Sequence, residues 1–128
     1  MARVLIIDDD VSFAQALTKH LERVGHDVRQ AANGDAGIRA FARQAADVVI
    51  VDIFMPGQGG LQTIGQLRRQ WPGVKIVAMS GVTSAGSLDV EQHAVALGAD
   101  RFVSKPFEAA AFVALVDTLL ERPGRTTP

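Results

Sequence analysis

Short continuous apolar runs alternate along the chain with longer stretches in which apolar residues recur every three or four positions. A strand that is covered on both faces of a parallel sheet is apolar throughout and does not alternate. The runs therefore predict buried strands at residues 4–7, 48–51 and 76–79, and two less apolar strands at 27–31 and 101–104.

The stretches between the strands carry apolar stripes with helical spacing. Three stripes are regular: Phe13, Leu17, Leu21 and Val24; Ile38, Phe41, Ala42 and Ala45; and Leu61, Ile64, Leu67 and Trp71. A fourth helix is predicted over about 88–97, and a fifth over about 108–121 with a core face of Phe112, Leu115, Val116 and Leu119. Strand followed by helix, repeated five times, predicts a doubly wound α/β domain with a five-stranded parallel sheet and about five helices.

Length and composition narrow the class of protein. The 128 residues suit one domain, predicted over 1–121, and residues 122–128 are predicted to be a short flexible tail. The net charge of −1 gives no electrostatic reason to expect nucleic acid or an anionic membrane as a direct partner. No cysteine is present, and no apolar run approaches the ~18 residues of a membrane helix. We therefore expect a cytoplasmic domain.

Polar residues follow the predicted strands, at the sheet edge where ligands bind in such folds. Asp8 and Asp9 follow the first strand, Asp52 the third, Ser80 the fourth and Lys105 the fifth. If the first and third strands are neighbours, three carboxylates share one pocket.

Three clustered carboxylates repel one another unless a cation lies among them, and an all-oxygen ligand set favours Mg²⁺. A serine hydroxyl and a lysine ammonium nearby suit a phosphoryl group, and a carboxylate can itself be the nucleophile. The pattern predicts Mg²⁺-dependent phosphoryl transfer to an aspartate. Taken singly, each residue has an ordinary explanation, and Asp10 is predicted to cap the first helix.

Four motifs make the chain resemble the receiver domain of two-component response regulators over about 3–121. They are Val-Leu-Ile-Ile-Asp-Asp at 4–9, Asp-Ile-Phe-Met-Pro-Gly-Gln-Gly-Gly at 52–60, Ala-Met-Ser-Gly at 78–81, and Phe-Val-Ser-Lys-Pro-Phe at 102–107. The resemblance implies a flavodoxin-like strand order of 2-1-3-4-5. It also implies a single-domain regulator of a two-component or phosphorelay system.

The resemblance implies a role for each residue of the predicted pocket. Asp52 would be the phosphoacceptor, and Mg²⁺ would be held by Asp8, Asp9, the Asp52 carboxylate and the backbone carbonyl of Phe54. Ser80 would bind the phosphoryl group and move inward when it is present.

Three further positions on the last strand and the turn after it follow from the same resemblance. Lys105 would pair with the phosphoryl oxygens, and its peptide bond to Pro106 would be cis. Phe102 occupies the aromatic switch position, where the family often has tyrosine. Without a hydroxyl, its switching would depend on packing alone.

The resemblance also implies partners. A histidine kinase or a histidine phosphotransfer protein would donate the phosphoryl group, and an unnamed output protein would recognise the switched surface or take the phosphoryl group onward. Val113 and Leu120 give the last helix a second apolar edge. In the family, the surface of the last two helices and the last strand is a common dimer or partner site, so this edge predicts either a contact surface, such as that of a homodimer, or merely an imperfect helical stripe.

Two features depart from the common family pattern. Ser80 and Lys105 lie 25 positions apart, a few more than is usual, and the additional residues fall in the Gly- and Ser-rich segment 81–87. Phe54 and Val82 are both apolar at positions where a polar side chain could orient water. We therefore expect slow self-dephosphorylation.

Two other classes of protein compete with this interpretation. A haloacid-dehalogenase-like phosphatase would use Asp8-Asp9-Asp10 as its nucleophile motif, but it leaves the Asp52 motif unexplained and lacks an acidic pair at a later strand end. A receiver-like binding module that works without phosphorylation is the second alternative, although such modules usually lose an acidic residue or the lysine.

Overall fold

The computed structural model describes residues 1–55, 57–81 and 87–121, with the backbone alone at 87 and 88. Strands and helices alternate within these ranges: β1 (Arg3–Ile7), α1 (Val11–Arg23), β2 (Asp27–Ala31), α2 (Gly34–Arg43), β3 (Val48–Asp52), α3 (Gly60–Gln70), β4 (Lys75–Ser80), α4 (Ser87–Leu97), β5 (Arg101–Ser104) and α5 (Ala109–Leu120). All five predicted strands and all five predicted helices are confirmed. The predicted tail 122–128 lies outside the described residues.

The five strands form one parallel sheet in the order β2-β1-β3-β4-β5, as predicted. The register pairs Ile7 of β1 with Val51 of β3, and Asp52 of β3 with Met79 of β4. The three middle strands are almost wholly buried, whereas β2 and β5 at the edges are only partly buried. Their greater exposure explains why the sequence of these two strands is less apolar.

Helices cover both faces of the sheet. On one face, α1 and α5 pack against the sheet in a hydrophobic layer that includes Ala14, Leu17, Leu21, Phe112, Val116 and Leu119. On the other face, α2, α3 and α4 pack against the sheet in a second hydrophobic layer that includes Phe41, Ile64, Leu67 and Ala94. Successive residues of β1 alternate between the layers, with Leu5 on one side and Ile6 on the other. Burying each large side chain contributes roughly 1.5–3 kcal/mol to folding.

The apolar stripe predicted for α2 is wrong for two of its four residues. Ala42 and Ala45 are exposed, and the helix ends at Arg43, before Ala45. The buried face consists of Gly34, Gly37 and Phe41. A Cβ at Gly37 would lie 2.3 Å from Cδ1 of Ile7, so the helix lies too close to β1 for a side chain at that position. The stripe of α1 is likewise shorter than predicted, because Val24 is exposed beyond the last turn.

The aromatic rings of Phe41 and Trp71 pack against each other at the end of the molecule opposite the carboxyl ends of the strands. Trp71 follows the last turn of α3, and its ring centroid lies 4.5 Å from that of Phe41. The Phe41 ring is buried and the Trp71 ring is half-buried.

The Arg68 side chain joins α3 to the neighbouring connections. Its guanidinium lies 2.9 Å from the Asp100 carboxylate, which also accepts a hydrogen bond from the Ile76 backbone N–H at 2.8 Å. It further donates to the backbone carbonyls of Pro72, Val74 and Gly98. One side chain therefore fixes the ends of α3 and α4 against β4. Among the described residues, no helix combines the length and the apolar character that crossing a membrane would require.

Candidate functional site

Three carboxylates meet at the carboxyl ends of β1 and β3. Asp8 directly follows β1 and Asp52 is the last residue of β3, and the pairing of Ile7 with Val51 makes these two ends neighbours. One oxygen each of Asp8, Asp9 and Asp52 lies within 4.8 Å of the others. Asp8 and Asp52 are 1% and 6% exposed, whereas Asp9 is open to solvent. The cluster therefore has a buried floor and one accessible side.

The turn after β1 holds Asp8 in place. Oδ1 of Asp8 accepts a hydrogen bond from the Asp10 backbone N–H at 2.9 Å, and Oδ1 of Asp10 accepts one from the Phe13 N–H at 3.1 Å. Asp10 is thus the N-cap of α1, as predicted, and it is not a member of the carboxylate cluster. The same turn that begins α1 fixes the buried carboxylate.

Lys105 brings a positive charge to this cluster. Its Nζ lies 2.9 Å from Oδ2 of Asp8 and 3.8 Å from Oδ2 of Asp52. Its backbone N–H donates to the Ser80 carbonyl at 2.7 Å, which ties the turn after β5 to the end of β4. The Lys105–Pro106 peptide bond is cis.

Ser80 lies at the adjoining strand end and is 1% exposed. Its hydroxyl donates to the Gly81 carbonyl at 3.1 Å. Phe54, two residues after Asp52, is 53% exposed. Phe102 on β5 is half-buried and packs against the core layer of α2, α3 and α4. The predictions that concern Val82 and most of the segment 81–87 fall outside the described residues.

The environment of Asp52 raises the pKa of its carboxyl from 3.8 to about 6. Burial is the largest cause, the negative charge of Asp8 adds to it, and the Lys105 ammonium opposes it. A second cation would reduce the repulsion between the carboxylates. The donors are oxygens only and one side is accessible, so the residues fit Mg²⁺.

An aromatic contact at Lys105 was not predicted from the sequence. The Lys105 Nζ lies 4.0 Å from the ring centroid of Phe13 on α1. In the sequence, Phe13 is only one member of an apolar stripe. The two residues are far apart along the chain, so no local pattern indicates that they meet.

The fold and this site define a class of protein. The family model of the response regulator receiver domain matches residues 4–117, and the chain belongs to that family. It is 35% identical over 115 residues to the response regulator protein FleR of Pseudomonas aeruginosa, covering 90% of this chain and 24% of FleR. It is 32% identical over 124 residues to the sensory transduction protein RegX3 of Mycobacterium tuberculosis, covering 97% of this chain and 53% of RegX3.

Solved receiver structures agree with the fold. The receiver domain of NtrX from Brucella abortus has a TM-score of 0.85 and 28% identity, covering 92% of this chain and 98% of that one. The chemotaxis protein CheY4 of Vibrio cholerae has a TM-score of 0.85 and 27% identity, covering 93% and 98%. The chain spans between a quarter and about half of the length of the curated relatives FleR and RegX3.

Proposed function

We propose that this receiver is cytoplasmic and accepts a phosphoryl group on Asp52 in a Mg²⁺-dependent reaction, from a histidine kinase or a histidine phosphotransfer protein. The observation that carries the proposal is the position of the Asp52 carboxylate at the end of β3. It shares a pocket with Asp8 and Asp9, and the Lys105 ammonium lies 3.8 Å away. Family membership supports the same assignment.

The chain's own groups account for the transfer. A carboxylate oxygen of Asp52 attacks phosphorus, the bond from phosphorus to the donor nitrogen breaks, and the nitrogen keeps the bonding pair and takes a proton. Lys105 neutralises charge on the transferred group, and the buried floor around Asp8 excludes water from one side of it.

The Mg²⁺ ligands in this proposal are the carboxylates of Asp8, Asp9 and Asp52 and the backbone carbonyl of Phe54. When bound, Mg²⁺ would supply positive charge that keeps Asp52 ionised and stabilises the phosphoryl oxygens. Because the pKa of Asp52 is raised to about 6, the site benefits from such a charge at neutral pH.

The proposed switch begins at Ser80. Its hydroxyl donates to the Gly81 carbonyl and must leave that partner in order to donate to a phosphoryl oxygen. The movement would carry the backbone of Ser80 and Gly81 inward and open space for the half-buried Phe102 ring. A shift between two such arrangements changes the surface of α4, β5 and α5, where an output protein or a second copy would bind.

The test is intact-protein mass spectrometry after incubation with a small phosphodonor such as acetyl phosphate, with Mg²⁺ or with excess chelator. Wild type, Asp52→Asn and the control Asp27→Asn would be compared. Asp27 is an exposed aspartate at the opposite end of the sheet, where β2 begins. We expect one phosphoryl adduct that requires Mg²⁺, is absent in Asp52→Asn and is retained in Asp27→Asn.

Two results would contradict the proposal. An adduct that persists in Asp52→Asn would mean that another residue is the acceptor. No adduct on the wild type, either from the small donor or from purified histidine kinases, would favour a receiver that signals by contact without phosphorylation.

A further inference from the structure

The Lys105 ammonium lies over the face of an aromatic ring. Its Nζ is 4.0 Å from the ring centroid of Phe13, which belongs to the first turn of α1. A cation at this distance over a ring face is attracted by the negative charge of the π system. The same Nζ is 2.9 Å from Asp8, so the ring and a buried carboxylate hold the ammonium together.

The Phe13 ring is itself held by a stack of aromatic rings. It meets Phe107 edge to face, with centroids 5.6 Å apart and planes at 82°. Phe107 in turn stacks on Phe112 at 4.5 Å and 20°, and Phe112 is 2% exposed within α5. The Phe13 backbone N–H is tied to Asp10 as well. The ring face that Lys105 contacts is therefore fixed by α1, by the turn after β5 and by α5.

We infer that Phe13 is a positioning residue for phosphoryl transfer, which it serves by holding the Lys105 ammonium beside Asp52. The inference rests on the proposed function. Lysine is a compact charge on a flexible four-carbon stem, so its place must be set by its neighbours. A ring face binds the ammonium without accepting one of its three hydrogens in a conventional hydrogen bond. The N–H donors remain available for Asp8 and for phosphoryl oxygens.

An ordinary core role for Phe13 gives a different expectation. Phe13 is half-buried and packs against the layer of α1 and α5, so any apolar side chain of similar size would serve that role. Leucine would then change stability alone. If the ring positions Lys105, leucine slows the reaction and a second aromatic residue restores it.

The experiment compares Phe13→Leu, Phe13→Tyr and Phe41→Leu with wild type. Phe41 is a buried phenylalanine at the far end of the molecule, paired with Trp71, so its variant controls for loss of an aromatic side chain from the core. The rate of Asp52 phosphorylation is followed by intact mass at saturating Mg²⁺ and over a range of acetyl phosphate concentrations. Thermal unfolding of each variant reports its stability.

We expect Phe13→Leu to lower the maximal phosphorylation rate about 3- to 10-fold, with Phe13→Tyr within about twofold of wild type. Phe41→Leu should lower the unfolding temperature and leave the rate unchanged. The Lys105 Nζ lies over the Phe13 ring, so the NMR resonance of the protons on the adjacent Cε should move downfield in Phe13→Leu but not in Phe13→Tyr.

The outcomes separate this inference from the proposed function. Equal rates in wild type and Phe13→Leu, or equal losses in Phe13→Leu and Phe13→Tyr, would overturn the positioning role while the adduct on Asp52 remains. An unshifted Lys105 resonance in Phe13→Leu would overturn the contact itself. The lack of any Asp52-dependent adduct on wild type would overturn the proposed function and this inference with it.

Discussion

Asp52 combines burial with the charge of Asp8, and both make its ionised form unfavourable in the folded protein. Its pKa is raised from 3.8 to about 6. Between these values the folded state binds more protons than the unfolded state, so this carboxyl's contribution to stability falls as the pH rises through about 4 to 6. The residue best placed to react is therefore one that costs stability at neutral pH.

Replacing this carboxylate by an amide should stabilise the metal-free protein. At pH 7.5 in chelator, we expect Asp52→Asn to raise the free energy of unfolding by about 1 kcal/mol, discounted for partial hydration of the site. The difference should shrink towards zero as the pH is lowered to about 4, where wild-type Asp52 is protonated. Urea unfolding at several pH values measures it. A gain that is constant with pH would contradict the electrostatic explanation.

Phe54 places an exposed aromatic side chain two residues from Asp52. An apolar side chain there cannot orient water for attack on an aspartyl phosphate. We expect Phe54→Asn to shorten the half-life of the phosphorylated protein roughly three- to tenfold, and Phe54→Leu to leave it nearly unchanged. The decay is measured by intact mass after removal of the phosphodonor. Equal half-lives in Phe54→Asn and Phe54→Leu would contradict the role of side-chain polarity.

At the scale of single residues, the sequence indicates the members of the site because each lies at or just after a strand end. Asp8, Asp52 and Ser80 occupy such positions in a parallel sheet, where strand ends share one edge. The contact between Phe13 and Lys105 could not be predicted, since it depends on the relative placement of α1 and the turn after β5.

Glycines set how closely the helices approach the sheet. A Cβ at Gly60, the first residue of α3, would lie 2.2 Å from the Asp52 carbonyl oxygen and 2.4 Å from Cα of Ile53. These are backbone atoms, so they cannot rotate away. The start of α3 and the end of β3 are in contact because this position has no side chain.

The neighbouring glycines allow a matched test of that contact. We expect Gly60→Ala to lower the free energy of unfolding by more than about 2 kcal/mol, because α3 must shift away from β3. Gly59→Ala should cost less than about 1 kcal/mol, since a Cβ at Gly59 would contact nothing within 4 Å and only a capping preference changes. Denaturant unfolding of both variants measures the costs. Similar values for the two would refute the backbone clash.

Helices and strands could be predicted from hydrophobic spacing where side chains form the buried face. The continuous apolar runs of β1, β3 and β4 indicate their burial on both sides. The buried face of α2 was predicted wrongly because it is made largely of Gly34 and Gly37, which carry no hydrophobic signal. Hydrophobic spacing therefore does not reveal where a helix packs closely against a strand through glycines, as α2 does.

For the molecule as a whole, the strand order followed from resemblance to a family and not from spacing. Alternation of strands and helices predicts a doubly wound sheet, and several orders satisfy it. The connections that hold this order include Arg68 on α3, whose guanidinium binds the carbonyl of Val74, just before β4, and the carboxylate of Asp100. Such long-range polar contacts leave no periodic pattern in the sequence.

Loss of this guanidinium should weaken the whole domain. We expect Arg68→Met to lower the free energy of unfolding by about 2–4 kcal/mol, because buried carbonyls and the Asp100 carboxylate lose a charged donor. The adjacent and exposed Arg69 provides the control. Arg69→Met should change the free energy of unfolding by less than about 0.5 kcal/mol. Chemical unfolding with a single probe for each variant measures both. A loss below 1 kcal/mol in Arg68→Met would contradict the role of this cross-link.

Trp71 is the only tryptophan, and the chain has no tyrosine. It lies at the end of α3, roughly 16 Å along the helix from Gly60 beside Asp52, with its ring against Phe41. The intrinsic fluorescence of the chain therefore originates at the end of the molecule away from the carboxylates. We expect its emission to report global unfolding and to stay unchanged when Mg²⁺ or a phosphodonor is added. An optical assay of the reaction would then need a fluorophore introduced near β5.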